Sequence, residues 1–180
     1  MQERQIMNQE GVRRALVRVA HEILEHNRGA EDLIIVGIHT GGVHIARRIA
    51  ANLAEFEGIE VPVASLDVSL YRDDYRVREQ SQTKIQPTEI PMGIHGKRVV
   101  LVDDVLFTGR SIRAALDALT DYGRPAAIEL AVLVDRGHRE LPIRPDYVGK
   151  NAPTGLGDDV VVRLQEIDGE DGVLVRGGLQ

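Results

Sequence analysis

Apolar positions along the chain follow two alternating patterns. Residues 9–27 carry apolar side chains at helical spacing, which predicts an amphipathic helix that ends before Gly29. Residues 33–38 are continuously apolar, as is typical of a short strand buried on both faces of a parallel sheet. The two patterns then alternate, and we predict helices over 43–56 and 110–122 and strands over 61–71, 98–104, 126–135, 160–164 and 172–176.

This alternation predicts an α/β fold, with a central, mostly parallel sheet flanked by helices. Because no repeat, low-complexity tract or linker interrupts residues 1–180, we expect a single domain. Ligands of such sheets bind outside the carboxyl ends of the strands. Polar turns at 39–42, 103–111 and 135–140 each follow a predicted strand, so we expect these turns to meet at one active site.

Composition and charge narrow the function classes. The 180 residues include 22 Lys and Arg against 28 Asp and Glu, a formal net charge of −6, and six of the acidic residues lie within 158–171. An acidic chain argues against indiscriminate nucleic-acid binding but allows one basic face. The absence of cysteine excludes disulfides, thiolate nucleophiles and cysteine-bound zinc. No apolar run approaches the ~18 residues of a membrane span and no secretory signal opens the chain, so we expect a cytoplasmic protein without a membrane partner.

The string VVLVDDVLFTGRS, residues 99–111, carries the clearest chemistry. Its strand ends at Asp103 and Asp104, whose carboxylates can accept hydrogen bonds from neighbouring hydroxyls of a sugar. Residues 108–111 then open a helix, where free backbone N–H groups, hydroxyls and the positive end of the helix dipole can hold a phosphate. Gly109 lets the backbone approach that phosphate closely. The two features together fit a ribose 5-phosphate.

This string resembles the phosphoribosyl pyrophosphate (PRPP) motif of the type I phosphoribosyltransferases. Residues 13–23, 69–74 and 130–151 further resemble the pyrimidine operon attenuation proteins of that family, over nearly the whole chain. The resemblance implies the type I phosphoribosyltransferase fold, with a mobile lid or hood that we assign to residues 72–92. It also implies two activities. One is binding of the pyr operon mRNA leader in response to the uridine nucleotides UMP and UTP, which regulates transcription by attenuation. The other is a uracil phosphoribosyltransferase reaction, a glycosyl transfer that makes UMP and pyrophosphate from uracil and PRPP.

The resemblance also implies roles for individual residues. Asp103 and Asp104 are the expected catalytic residues and hold the ribose hydroxyls, while Mg²⁺ accompanies PRPP without direct protein ligands. Family members often carry Arg or Lys where this chain has Gly41, and the missing cation weakens the grip on pyrophosphate. The expected PRPP- and nucleotide-binding residues are Thr40, Gly41, Asp103, Asp104, Val105, Leu106, Phe107, Thr108, Gly109, Arg110, Ser111, Arg136 and Val160.

Two basic groups match the segments of the family that contact RNA. In the first predicted helix, basic side chains recur opposite the apolar stripe, and a second group follows the strand over 126–135. Val17 stands within the polar face where relatives commonly carry Thr, which removes a hydroxyl that could reach RNA. Family members assemble as dimers or larger oligomers, so we expect a homo-oligomer. The expected RNA-binding residues are Arg14, Arg18, His21, Arg139 and Lys150.

The sequence leaves three functional classes open. The first is an RNA-binding attenuator that retains uracil phosphoribosyltransferase activity. The second is a phosphoribosyltransferase alone, including a purine-directed one, whose basic face serves only solubility or assembly. The third is a nucleotide-sensing regulator with negligible catalysis. Arg136 and its surrounding run favour a pyrimidine over a purine, while Gly41 and Val17 bear on the choice between the classes.

Overall fold

The computed structural model describes residues 3–71 and 86–178. The described part of the chain forms two sheets, one parallel and one antiparallel, with helices packed around the parallel sheet. In chain order the strands and helices are β1 (Glu3–Met7), α1 (Gln9–Asn27), β2 (Leu33–Ile38), α2 (Gly41–Glu57), β3 (Val63–Leu66), β4 (Arg98–Leu106), α3 (Arg110–Leu119), β5 (Ala127–Asp135), β6 (Tyr147–Asn151), β7 (Asp159–Arg163), α4 (Gln165–Asp168) and β8 (Gly172–Arg176).

The larger sheet has five strands, all parallel, in the order β3-β2-β4-β5-β6. Every residue of β2 is buried, which explains its continuously apolar sequence. Helices α1 and α2 pack on one face of this sheet through a core that includes Ile23 and Ile49. Helix α3 covers the opposite face, with Leu119 in a second core. The predicted α/β fold with a parallel sheet between helices is confirmed.

The smaller sheet is antiparallel, in the order β1-β8-β7. Strands β7 and β8 match the runs predicted at 160–164 and 172–176 to within a residue. The sequence analysis predicted neither β1 nor the antiparallel pairing. Glu3 of β1 lies opposite Arg176 of β8 and bonds its guanidinium at 2.8 Å, so the two ends of the described chain meet in this sheet.

Two predicted elements are shorter in the structure. The strand predicted over 61–71 is wrong beyond β3, because the Asp67 carboxylate accepts hydrogen bonds from the backbone N–H and the hydroxyl of Ser69 and starts a 3₁₀ turn, Ser69–Tyr71. The helix predicted over 110–122 ends as α3 and continues as the 3₁₀ turn Thr120–Tyr122. Strand β6 was not predicted.

The lid predicted over 72–92 falls largely outside the described residues, which resume at 86. From there the chain pairs with the end of β3: Ser65 and Glu89 form an antiparallel bridge with N–O distances of 2.9 Å. The backbone N–H of Asp67 donates to the Thr88 hydroxyl, and Gln86 donates its N–H to the Asp67 carboxylate. The chain on either side of residues 72–85 is therefore held at the carboxyl end of β3.

Candidate functional site

The two adjacent carboxylates lie near the carboxyl end of β4. Asp103 is 8% exposed, and its Oδ1 accepts a hydrogen bond from the backbone N–H of Asp104 at 2.9 Å. Asp104 is half-buried, and its Oδ1 accepts the N–H of Val105 at 2.7 Å. Backbone donors thus fix both side chains at the edge of the sheet where parallel α/β proteins bind ligands.

Helix α3 begins directly after this strand. Gly109 has φ 94°, a backbone conformation that side chains rarely adopt, and it turns the chain into the helix. The N-cap residue, Gly109, has no side chain that could cap the helix, and the Thr108 hydroxyl accepts the N–H of Arg110 at 3.3 Å. The Arg110 guanidinium itself bonds Glu140 at 2.6 Å. This turn has the donors and the open backbone that a phosphate needs.

The turn over 39–42 lies against Asp104. Thr40 is exposed and Gly41 begins α2, after a cis His39–Thr40 peptide bond. A Cβ on Gly41 would lie 2.5 Å from Oδ2 of Asp104, so the glycine leaves the space that the carboxylate occupies. The turns over 39–42 and 103–111 therefore meet at the end of β4, and Arg136 of the third predicted turn lines one cavity with residues of the second.

A cavity of 230 Å³ adjoins these turns. It contains nine of the thirteen expected nucleotide-binding residues, whereas Thr40, Gly41, Asp104 and Arg110 do not line it. The sequence analysis missed Ile112 and Asp159, since an apolar helix position and an exposed acid carry no local signal of a site. The lining residues are Asp103, Val105, Leu106, Phe107, Thr108, Gly109, Ser111, Ile112, Arg136, Asp159 and Val160.

Arg136 is the buried cation of this cavity. It is 5% exposed, its guanidinium carbon lies 4.0 Å from the centre of the Phe107 ring, and it donates to the carbonyl of Gly155 at 3.2 Å. Its Nε is buried without a hydrogen-bond partner. Because an unmet donor on a buried cation is costly, this atom fits a site that an anion or carbonyl completes.

Arg139 is placed differently from the other expected RNA-binding residues. Its guanidinium donates to the carbonyls of Ile143 and Phe107, each at 2.9 Å, and to the Asp135 carboxylate at 2.6 Å. Ile143 packs against the core on the α3 side of the sheet, opposite α1. Arg139 thus stabilises the loop over 136–143 by bonding its two ends and Phe107, and it does not lie on the same face of the sheet as α1.

Two basic residues of α1 line a separate, open groove with a volume of 620 Å³. Arg14, Arg18 and Lys150 line it, together with apolar residues of β1 and α1. Arg18 donates to the carbonyl of Gly149 at 2.6 Å and pairs with Glu22 at 2.8 Å. This concave surface, with its basic rim, is called the α1 groove below.

Two further features belong to helix α1 but not to the residues that line the α1 groove. Hydrogen bonds from Arg13 and Arg14 lower the pKa of Glu10 to about 2, so this carboxylate stays charged at neutral pH. The His21 ring stacks on Phe56 at 4.0 Å, with an angle of 10° between the planes. His21 therefore sits on the same helix as the arginines but is engaged by α2.

No group of three or more His, Asp or Glu side chains within residues 3–71 and 86–178 is placed to hold a metal ion. Over the same residues, none of the helices is both long and apolar enough to cross a membrane. Asp103 and Asp104 nevertheless supply the hard carboxylate oxygens that Mg²⁺ prefers, next to the phosphate turn. The site therefore fits a magnesium ion carried in with a phosphorylated ligand.

Comparison with known proteins gives one consistent result. The phosphoribosyl transferase domain family matches residues 3–162. The chain is 58% identical over 176 residues to "Bifunctional protein PyrR" of Chloroflexus aurantiacus, covering 98% of this chain and 96% of the relative. It is 56% identical over 173 residues to "Bifunctional protein PyrR 1" of Lactiplantibacillus plantarum, covering 96% of each chain.

Solved structures agree at the level of the fold. The hypoxanthine phosphoribosyltransferase of Trypanosoma cruzi superposes with a TM-score of 0.72 at 19% identity, covering 98% of this chain and 97% of that one. The Staphylococcus aureus enzyme of the same name gives a TM-score of 0.70 at 20% identity, covering 98% and 92%. The chain belongs to the phosphoribosyltransferase family and, within it, to the bifunctional PyrR proteins.

Proposed function

We propose that this protein regulates pyrimidine biosynthesis and also acts as a uracil phosphoribosyltransferase. As a regulator it binds the pyr operon mRNA leader in a uridine-nucleotide-dependent way and attenuates transcription. As an enzyme it converts uracil and PRPP to UMP and pyrophosphate. The observation that carries the enzymatic half is the single cavity that Asp103, the turn at 108–111, Arg136 and Val160 share.

The arrangement divides PRPP and the base among three parts of the fold. The carboxylates of Asp103 and Asp104 accept hydrogen bonds from the ribose hydroxyls, and the first turn of α3 holds the 5-phosphate. The backbone at Thr40 and Gly41 receives pyrophosphate. The buried Arg136 and the backbone of Val160 contact the nucleotide and read the uracil edge.

The reaction needs no protein nucleophile. The bond between C1′ of the ribose and an oxygen of pyrophosphate breaks, which develops positive charge on the ribose ring. N1 of uracil then forms the new bond to C1′, and the N1 proton leaves with the pyrophosphate. The carboxylates beside the ribose stabilise this charge, while the cavity positions the base and excludes water. Asp103 and Asp104 would lie beside a Mg²⁺ ion that enters with PRPP, and the ion would supply positive charge to offset that of the pyrophosphate.

The α1 groove is the proposed RNA surface. Its rim carries Arg14, Arg18 and Lys150 on the face of the molecule remote from the α3 side of the sheet. We assign His21 to the edge of this surface. Arg139 lies outside it, because its guanidinium bonds Ile143, Phe107 and Asp135 on the α3 side of the sheet. One groove is a small footprint for a structured RNA, which favours a homo-oligomer that presents two or more copies.

Replacing Asp104 by Asn tests the transferase. Removal of one charged hydrogen bond to the ribose costs ~1.5–3 kcal/mol, so we expect kcat/KM for PRPP to fall roughly 10- to 100-fold. Uracil-dependent release of pyrophosphate measures the effect. The matched control is Asp117→Asn, an exposed acid of α3 that pairs with Arg113. Equal kcat/KM in the Asp104→Asn and parent proteins would remove the proposed role.

Filter binding to a pyr leader RNA, with and without UMP, tests the regulator. We expect UMP to increase the affinity for the leader and to leave the affinity for a scrambled RNA of equal length unchanged. If neither RNA binds while pyrophosphate is released with uracil, the protein is a phosphoribosyltransferase alone. If leader binds and no turnover occurs, it is a nucleotide sensor.

A further inference from the structure

Arg48 forms a junction between the two sheets. It lies in α2, two turns after Gly41, and its side chain is 23% exposed. Its Nε and Nη2 donate to the two carboxylate oxygens of Glu166 at 2.9 and 2.5 Å. Its Nη1 and Nη2 donate to the two oxygens of Asp171, both at 2.8 Å. One planar guanidinium thus makes two bidentate pairs, an arrangement with strong geometric preference.

Both acids belong to the segment that connects β7 to β8. Glu166 lies in α4 and Asp171 directly precedes β8. Asp171 also accepts the backbone N–H of Gln165 at 2.7 Å, and its side chain is only 9% exposed. Leu164, at the start of the connection, is 1% exposed in the core that α1 and α2 share. Arg48 therefore fixes this connection to α2 beside a buried apolar anchor.

Strand β7, whose carboxyl end leads into this connection, reaches the nucleotide cavity at its amino end. Val160 lies near the start of β7 and lines the cavity, and the connection held by Arg48 begins directly after the strand ends. Strand β7 is only five residues long and is hydrogen-bonded to β8 along its length. Because such a strand is extended and stiff, a shift at one end also moves the other end. Helix α2, which carries Arg48, begins at Gly41 of the pyrophosphate turn.

We propose that Arg48 is a positioning residue for uracil, which holds β7 at the correct distance from the phosphate half of the site by clamping the β7–β8 connection to α2. Arg48 lines neither the cavity nor the phosphate turn, so it acts through Val160 and not on the substrate. The inference rests on the proposed uracil phosphoribosyltransferase function. PRPP binds to elements of the parallel sheet, whereas uracil binding depends on β7. Loss of Arg48 should therefore weaken the binding of uracil and leave that of PRPP unchanged.

The test compares substrates in Arg48→Met, which keeps the length of the side chain and removes its donors. Misplacement of the strand should raise the KM for uracil roughly 10-fold. The KM for PRPP and the kcat at saturating uracil should stay within about twofold of the parent values. Arg48→Lys can pair with one acid at a time, so its KM for uracil should fall between those of the parent and Arg48→Met.

Arg163→Met is the matched control. Arg163 lies on β7 itself and pairs with Glu170 of the same connection at 2.6 Å and with Glu3 of β1 at 4.0 Å. Its loss therefore breaks ion pairs of β7 without releasing the connection from α2. The KM for uracil should stay at the parent value in this variant. Glu166→Gln removes the charge and one of the two acceptor oxygens of this partner of Arg48, so it weakens the clamp and serves as a second variant if Arg48→Met does not fold.

The outcomes separate the clamp from the proposed function. A raised KM for uracil in Arg48→Met or Glu166→Gln, with PRPP unaffected and Arg163→Met unchanged, supports the clamp. A parallel loss of kcat and of both affinities identifies Arg48 as a general stabilising residue and overturns the inference. An unchanged KM for uracil in an active Arg48→Met protein also overturns it and leaves the transferase intact. A parent protein that fails to turn over uracil contradicts the proposed function itself.

Discussion

At the scale of single residues, Gly41 and Asp104 share one space. From the sequence, Gly41 looks like the loss of a cation from the pyrophosphate turn. The structure shows that a Cβ there would lie 2.5 Å from Oδ2 and 3.0 Å from Cγ of Asp104. Any side chain at position 41 would therefore displace the carboxylate of Asp104, which is proposed to bind the ribose, whatever its effect on pyrophosphate.

Gly41→Ala is expected to weaken PRPP binding without unfolding the protein. The Asp104 side chain can rotate away from the new methyl group, so the free energy of unfolding should change by less than about 1 kcal/mol. The displaced carboxylate should raise the KM for PRPP roughly 10-fold, measured by pyrophosphate release. Gly93→Ala is the control, since a Cβ at Gly93 meets nothing within 4 Å. An unchanged KM for PRPP in Gly41→Ala would show that the position of Asp104 does not matter.

Gly109 invites a second test at the phosphate turn. Valine there is strained at φ 94° by about 1–3 kcal/mol, and its Cβ would lie 3.4 Å from two carbons of Ile143. We expect Gly109→Val to lower Tm and to abolish the Tm increase that UMP gives the parent. Gly96→Val, at φ 72° in open space, should lose similar stability and keep the UMP effect. Stabilisation of both variants by UMP would place the phosphate elsewhere.

Arg136 and Arg139 show where residue-level prediction stops. Both follow the same strand and both are Arg within a basic run, so the sequence treats them alike. In the structure Arg136 lines the cavity and its Nε has no hydrogen-bond partner. The guanidinium of Arg139 instead donates hydrogen bonds to Ile143, Phe107 and Asp135. The difference depends on backbone carbonyls of other segments, which no local pattern encodes.

At the scale of elements, local patterns predicted the helices and most strands and missed two edge strands, β1 and β6. Helix α1 was found because its buried residues recur at helical spacing, and the central strands β2 and β4 because each contains a continuous buried, apolar run. Strand β6 is five residues at a sheet edge, with only Tyr147 fully buried, and β1 has the pattern of a polar terminus. β1 gains its hydrogen bonds from β8 at the other end of the described chain and β6 gains its own from β5, so neither strand needs an apolar run that the sequence would reveal.

Helix α1 as an element carries the RNA prediction. Replacing Arg14 and Arg18 by Gln removes two positive charges from the rim of the α1 groove. If both neutralise phosphates, leader binding should weaken and the slope of log K against log salt should flatten by about 1 to 2. Filter binding over a salt series measures this, and uracil phosphoribosyltransferase activity should stay unchanged.

The control for the RNA experiment is Arg113→Gln on α3, which covers the opposite face of the parallel sheet. This variant removes one charge and should keep the parent affinity and nearly the parent slope. Parental affinity and slope in the α1 double variant would place the RNA surface away from α1. Equal weakening by the control would reduce the effect to net charge.

At the scale of the whole molecule, the site combines residues of the parallel sheet with Asp159 and Val160 of the antiparallel sheet, which follow much later in the chain. The sequence predicted the phosphate half, because strand, turn and helix are consecutive at 98–119. It could place Val160 only through family resemblance, since β7 reaches the cavity through antiparallel pairing with β8. Arg48 was invisible in the sequence, because its partners lie 118 and 123 residues away.

Acid stability reports on the joint between the sheets. Hydrogen bonds from Arg48 lower the pKa of both Glu166 and Asp171 below their ordinary values. A carboxyl group with a lower pKa in the folded protein adds stability above its unfolded pKa, near 4, and that stability is lost as pH falls through the folded pKa. We therefore expect Tm, followed by circular dichroism, to be nearly constant from pH 7 to about 5 and to fall at lower pH.

Arg48→Met should lower the plateau of Tm and make the acid decline shallower, because the two carboxyl groups then titrate more nearly as they do in the unfolded chain. Arg13→Met is the matched control: its partner Glu10 is also held at a low pKa, about 2, but on the fully exposed surface of α1, where Arg14 still binds it. The control should keep the plateau and nearly the whole acid decline. A curve for Arg48→Met that runs parallel to the parent curve at constant offset would mean that other ion pairs set the acid sensitivity of the protein.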